Sequence, residues 1–281
     1  MKICLIVDNP DTRRHPVIGV LLHKLSPRHG VRLLDVRGLT SADVVAQEEM
    51  RVLADVYLLK SHAIQALDVA YRLEQRGALV VNPWSATVAC QDRVLMAQRV
   101  CGTDCPWPQT WNLGTLEDVL AREDVLATLP FPLIIKSRYS RREDLVVKVH
   151  NVEEVQTLAP RWRHEPVLLQ EFAGGDGWDI KVWVIGQQVF AARRRTPLEP
   201  PTVKEDFPLL AGDVPNEWAQ VALEIGRVFG LRLCGVDLLM TARGPLIVDV
   251  NAFPGFRGVH GASSALVALV EQLGRERQVV W

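Results

Sequence analysis

The chain has no apolar run of the roughly 20 residues that a membrane-spanning helix needs. None of its glycine-rich turns carries the GxxxxGK signature, followed by serine or threonine, of a P-loop. Cysteine is sparse: five in 281 residues, at positions 4, 90, 101, 105 and 234, with no CxxC pair. Cys101 and Cys105 lack the second pair or the nearby histidine that would complete a zinc site. All five read as free thiols, which fits a reducing, cytoplasmic location. Neither sign of charge dominates. Lysine and arginine number 32 against 33 aspartates and glutamates, for a net charge of -1, so no whole-molecule field favours nucleic acid. Neither a nucleic-acid nor a membrane partner is expected. The opening MKICLIVDNP is apolar only as far as Asp8 and reads as a first strand, not a signal peptide. There is no internal repeat and no low-complexity tract.

What is present is a globular composition, 48% hydrophobic and 23% charged, in a chain long enough for two or three lobes. Short apolar runs at residues 3–7, 31–36, 54–60 and 78–81 alternate with helical spacing over 17–29 and 63–75. Such alternation predicts a parallel sheet with helices on its faces. A first lobe is thus expected over residues 1–84. Helices are expected over 85–100 and 115–128, and strands over 131–136, 145–149 and 167–172, giving a central lobe over 85–171. Hairpins over 180–192 and 234–250, with helices over 216–229 and 263–273, make a third lobe over 172–281. The fold class is therefore an open α/β lobe followed by two α+β lobes, and the cleft between them is the natural place for a ligand.

The sharpest local signal is GVDLLMTARGPLIVDVNAFPGFRGV, residues 235–259. Asp237 and Asp249 sit inside two apolar runs that read as adjacent strands. Residues i and i+2 of a strand share a face, so Asp249 and Asn251 aim at one point, and Asp237 reaches it across the hairpin. Buried carboxylates need a partner. A hard cation such as magnesium takes oxygen ligands, and triphosphate oxygens complete its shell.

This segment resembles the terminal motif of the ATP-grasp superfamily, in which two acids and an asparagine hold magnesium, or manganese, on ATP. RGPLIVDVN resembles the ribosomal-protein glutamate ligases, whereas NAFPGFRGV is similar to the inositol tetrakisphosphate kinases. The resemblance implies Asp237, Asp249 and Asn251 as metal ligands and Lys136, ending the strand IIK, as a phosphate contact. It implies Gln170, Glu171 and Phe172, in LLQEF, along the adenine, with the backbone of Glu171 and Phe172 meeting the base edge. Asp179 would take the ribose, with Asp176 as its rival. Lys181 matches a basic position of both branches, and Arg93 matches a basic position that reaches the phosphates. Arg193, in the run Arg193-Arg194-Arg195, would line the cleft and, with Lys181 and Asn251, act on the transferred phosphoryl group.

Two stretches depart from the family. The loop SRYSRRED after Lys136 has no glycine, so Arg138, Ser140, Arg141 and Arg142 are expected to grip phosphate or carboxylate where backbone amides would otherwise do so. The stretch from Thr196 to Pro201 replaces an asparagine- and glycine-rich segment of the ligases. Two activities stay open: an ATP-dependent carboxylate–amine ligase working through an acyl phosphate on an anionic small molecule or peptide, and an inositol polyphosphate kinase.

Overall fold

The structure, a computed structural model, describes residues 1–38, 40, 42–43, 52–141, 143–175, 177–195 and 206–279. Arg142, Asp176, the stretch from Thr196 to Pro201 and Trp281 lie outside the described residues.

The first strand, β1 (Lys2–Val7), is buried from Ile3 to Val7. A continuous apolar run of this kind belongs to a parallel sheet covered on both faces. It pairs in parallel with β2 (Gly30–Asp35) and β3 (Val56–Lys60), and β3 pairs with β4 (Val80–Val81), giving the order β2-β1-β3-β4. The helix Pro16–Leu25 packs on one face and the helix Ile64–Gln75 on the other.

The central antiparallel sheet has the order β5-β8-β6-β7, from β5 (Thr110–Thr115), β6 (Leu133–Ser137), β7 (Val146–Val149) and β8 (Pro166–Glu171). Its outer face buries Leu133, Ile135, Val167 and Leu169 against the short helices Leu116–Leu120 and Val152–Thr157. Strand β5 was not foreseen from the sequence, because its exposed and half-buried alternation over TWNLGT carries no apolar run.

The third sheet runs β11-β10-β9-β12-β13, from β9 (Trp178–Ile185), β10 (Gln188–Arg195), β11 (Asp206–Pro208), β12 (Leu233–Thr241) and β13 (Gly244–Asn251). One face carries the helix Asn216–Phe229, which buries Trp218, Ala222, Ile225 and Phe229 at helical spacing. That helix ends at Gly230, whose φ of 71° lets Leu231 N–H return to the carbonyl of Gly226 at 2.8 Å. The other face presents Trp183 and Ile185 to the helix Ala262–Val279 and to the first lobe, in one shared core.

Two expectations need correction. The helix foreseen over 85–100 is two helices, Trp84–Ala89 and Arg93–Val100, broken where Asp92 turns its carboxylate back to cap the second. Residues Ala86, Ala89, Met96, Val100 and Cys105 then share a core with Trp218, Ile225 and Phe229. The stretch from Ala86 to Trp107 therefore contributes to the core beneath the C-terminal sheet, while Trp84 packs against the first lobe. The helix foreseen over 115–128 is likewise two, Leu116–Leu120 and Glu123–Thr128. No helix among the described residues is long and apolar enough to cross a membrane.

Candidate active site

The inner face of the central sheet and one face of the third sheet form the walls of a cleft. Strand alternation decides what each wall offers. On β6 and β8, burying Leu133, Ile135 and Leu169 outward turns Ile134, Lys136 and Gln170 inward. On β9 and β12, sending Ile180, Val182, Val236 and Leu238 to the helix-covered face leaves Asp179, Lys181 and Asp237 on the cleft side. Arg93, Lys136, Gln170, Glu171, Phe172, Asp179, Asp237 and Asp249 all line the cleft, with apolar wall from Ile134, Leu239, Leu246 and Val248.

Asp237 stands directly opposite Asp249 in the β12–β13 register and opposite Lys181 in the β9–β12 register. Lys181 Nζ lies 3.0 Å from Asp237 Oδ1. Arg93 is the first residue of its helix and is buried. One guanidinium nitrogen donates to the carbonyl of Ser137 and to Asp144 Oδ2, both at 2.7 Å, and another lies 3.6 Å from Asp249 Oδ2. The register slips between Asp237 and Leu238, because Leu238 pairs with Ile247 and leaves Val248 over. A bulge frees backbone groups from the ladder, and the Val248 carbonyl accepts a bond from Lys136 Nζ at 3.0 Å across the cleft. Burial pulls the Lys136 ammonium down to about 8, although the Asp249 carboxylate works the other way. Cationic nitrogens thus gather around two carboxylates in a pocket whose remaining wall is apolar.

The donor set suits a hard divalent cation in part. Asp237 and Asp249 keep 39% and 31% of their side chains exposed, so their oxygens remain reachable. Asn251 Oδ1 accepts from Phe253 N–H at 3.0 Å and keeps a second lone pair. No group of three or more histidine, cysteine, aspartate or glutamate side chains converges among the described residues. Two carboxylates and an amide oxygen fit magnesium only with phosphate oxygens completing the shell.

Several expectations for the site do not survive the geometry. Arg193 pairs with Ile180, on the helix-covered face, and its guanidinium lies 5.7 Å from the centre of the Trp218 ring. Arg194, opposite Asp179, is the member of the triplet on the cleft side. Arg138 and Arg141 of the basic loop do not turn their guanidiniums inward either. Arg138 grips Asp92 through Nε and a terminal nitrogen, at 2.9 and 2.7 Å, and Arg141 lies 2.6 Å from Glu165. The N–H groups of Glu171 and Phe172 donate to the carbonyls of Gln109 at 2.9 Å and Pro132 at 3.4 Å. Asp144 and Lys148 were missed. Asp144 orients Arg93, and Lys148 holds its ammonium 3.8 Å from the centre of the Phe172 ring. Strand alternation from Lys136 across the β6–β7 pair was the available signal for Lys148, which lies opposite Ile134.

A model of the RimK-like ATP-grasp domain matches residues 111–269. The chain belongs to the RimK-like ATP-grasp family. Among its relatives is a probable alpha-L-glutamate ligase of Stenotrophomonas maltophilia, 28% identical over 207 residues that cover 71% of this chain and 70% of the relative. The ATP-grasp fold is shared with a D-alanine–D-alanine ligase from Bacillus anthracis at a TM-score of 0.74 and 17% identity, with both chains covered fully. It is shared too with a RimK domain ATP-grasp protein from Sphaerobacter thermophilus at a TM-score of 0.68 and 18% identity, covering 96% of this chain and all of the other.

Proposed function

We propose that this ATP-grasp protein is a carboxylate–amine ligase that activates an acid as its acyl phosphate. One observation carries the assignment within the family: Asp237 and Asp249, held opposite each other by strand register, have Lys181 beside Asp237 and Arg93 beside Asp249, in an apolar-walled cleft that Lys136 lines from the other sheet. In such a site an acceptor carboxylate oxygen attacks the terminal phosphorus of ATP, the bond to the bridging oxygen breaks and ADP leaves. An amine then adds to the acyl carbon, phosphate departs with the bonding electrons, and the amine's protons pass to solvent.

Asp237, Asp249 and Asn251 would hold magnesium, with manganese as a substitute. Bound there, the ion supplies charge neutralisation on the phosphates. Lys136 and Arg93 are assigned to the phosphate oxygens and Lys181 to the charge on the moving phosphoryl group. Gln170, Glu171 and Phe172 are assigned to the base and Asp179 to the ribose. Arg194 replaces Arg193 as the candidate cation of β10. The kinase reading comes from the likeness of NAFPGFRGV and would be supported by arginines crowding the cleft. With Arg138 and Arg141 engaged by carboxylates and Arg193 on the far face, it loses that support.

The assignment is tested by Asp249→Asn. Turnover of ATP with acid and amine present is expected to fall by about 100-fold or more, the order seen when a preorganised charge partner of a transition state is removed. Turnover within twofold of the parent would refute the metal assignment.

A further inference from the structure

The two carboxylates assigned to the metal meet their cations at different distances. Lys181 Nζ is in contact with Asp237 Oδ1 at 3.0 Å, whereas the Arg93 guanidinium stops 3.6 Å from Asp249 Oδ2. Asp249 Oδ1 accepts from the Val250 N–H at 3.0 Å, so Oδ2 is the oxygen that faces Arg93. A guanidinium free to move onto a carboxylate closes to about 2.7–2.9 Å. Arg93 is therefore restrained.

The restraint is the loop from Ser137 to Asp144. Arg93 Nη1 donates to the Ser137 carbonyl and to Asp144 Oδ2, both at 2.7 Å, and its backbone N–H donates to the Arg138 carbonyl at 2.9 Å. In return Arg138 grips Asp92, and Ser140 N–H donates to the Gln91 carbonyl at 3.0 Å. The loop and the start of the helix Arg93–Val100 thus exchange two ion pairs of opposite sense, Asp92 with Arg138 and Arg93 with Asp144. Glu143 has a φ of 62°, left-handed backbone that a non-glycine residue seldom adopts. It stands immediately before Asp144, where the chain brings that carboxylate back to Arg93. The Arg93 and Asp144 side chains are only 7% and 16% exposed, so water and salt screen their attraction little.

We propose that Asp144 is a positioning residue of the metal site: by holding Arg93, it keeps Asp249 Oδ2 open to a divalent cation. Among the described residues the ion-pair partners of Arg93 are Asp144 and Asp249. With the Asp144 charge removed, Asp249 is the one that remains. A buried charge without a partner is costly, which drives the guanidinium onto Oδ2, where a cation would have to bind. Arg93 meanwhile keeps a donor for a phosphate oxygen, because its buried Nε has no acceptor among the described residues. The loop thereby serves the phosphates and the metal through Arg93, although Arg138 and Arg141 are turned to other carboxylates. This inference rests on the metal assignment to Asp237, Asp249 and Asn251.

The test is calorimetric titration of the full chain with ATP, without acceptor or amine, in magnesium and again in EDTA. The ratio of the two dissociation constants is the gain from the metal. The parent should gain at least tenfold, and Asp249→Asn less than twofold. Asp144→Asn should also gain less than twofold. Adding Arg93→Gln to Asp144→Asn should restore a gain of at least fivefold, although ATP alone then binds more weakly. Arg93→Gln by itself should alter the parent's gain less than threefold. A plain change of charge would instead shift the gain by the same factor in both backgrounds, so the non-additivity identifies positioning. Should Asp144→Asn fail to fold, the double variant, which removes both charges, still decides: a gain below twofold there would mean that Asp144 acts on the metal directly. That result, additive effects, or a gain in Asp144→Asn within twofold of the parent's would overturn the inference and leave the metal assignment standing. A gain in Asp249→Asn equal to the parent's would remove the metal assignment, and the inference with it.

Discussion

Lys136 joins both walls of the cleft, and its protonation should report on ATP. In the free protein burial holds it to about 8. Phosphate oxygens favour the ammonium and raise that value on binding. Above pH 8 the free protein is partly deprotonated at Lys136 and the complex is not, so ATP binding should take up close to one proton near pH 9 and almost none near pH 7. Calorimetry in buffers of different ionisation enthalpy would read this directly, and Lys136→Arg should remove the dependence. The arginine triplet offers a sharper residue-scale contrast. Arg194→Ala should cut turnover at least tenfold. Arg193→Ala should leave turnover within twofold and cost about 0.5–1 kcal/mol of stability through the lost Trp218 contact. Reversed effects would return Arg193 to the site. The sequence could split the triplet between faces but could not say which face held the cleft. Phe190 and Ala192 on one face and Val189 and Ala191 on the other are equally apolar.

At the scale of elements, one asparagine ties the lobes together. Asn82 is buried after β4. Its Nδ2 donates to the carbonyls of Leu233 and Ala252, and its Oδ1 accepts from Arg232 N–H at 2.8 Å. It thereby pins the start of β12 and the end of β13, the two strands that carry Asp237, Asp249 and Asn251. Asn82→Ala leaves these buried groups without partners at about 1–3 kcal/mol each. A loss of at least about 3 kcal/mol in urea unfolding is expected, and a loss below about 1 kcal/mol would contradict this role. In the sequence, Asn82-Pro83 carries only the mark of a strand terminator, because local patterning does not reveal a long-range bond. The acid pair was legible for the opposite reason. Its signal is the period of a strand together with charge inside an apolar run, and the structure places Asp237 and Asp249 in register. The bulge at Val248 was not legible, since a single extra residue leaves no mark on an apolar run. Nor was the break at Asp92, where capping competes with a helical pattern that continues through it.

For the whole molecule, a parallel sheet and two further groups of strands were readable from run lengths and turn residues, but the edge strands β5 and β11 were not. The packing of residues 86–107 on the C-terminal sheet was not, because an amphipathic helix does not say which sheet it covers. The lobes meet at the cleft, so occupation should stabilise the assembly. Magnesium and ATP at 100 times the dissociation constant should add about 2.7 kcal/mol, seen as a rise in Tm. The variant carrying both Asp237→Asn and Asp249→Asn should lose the part of that rise that requires magnesium. The most direct test of the ligase assignment follows the oxygen of the acceptor carboxylate. With glutamyl-glutamate labelled with oxygen-18 in its carboxylates, and with ATP, magnesium and a panel of amino acids as amines, the label should appear in released inorganic phosphate, one atom per amide formed. ADP release with no free phosphate once an inositol phosphate is added, with that inositol phosphate becoming heavier by one phosphoryl group, would contradict the assignment and establish a kinase.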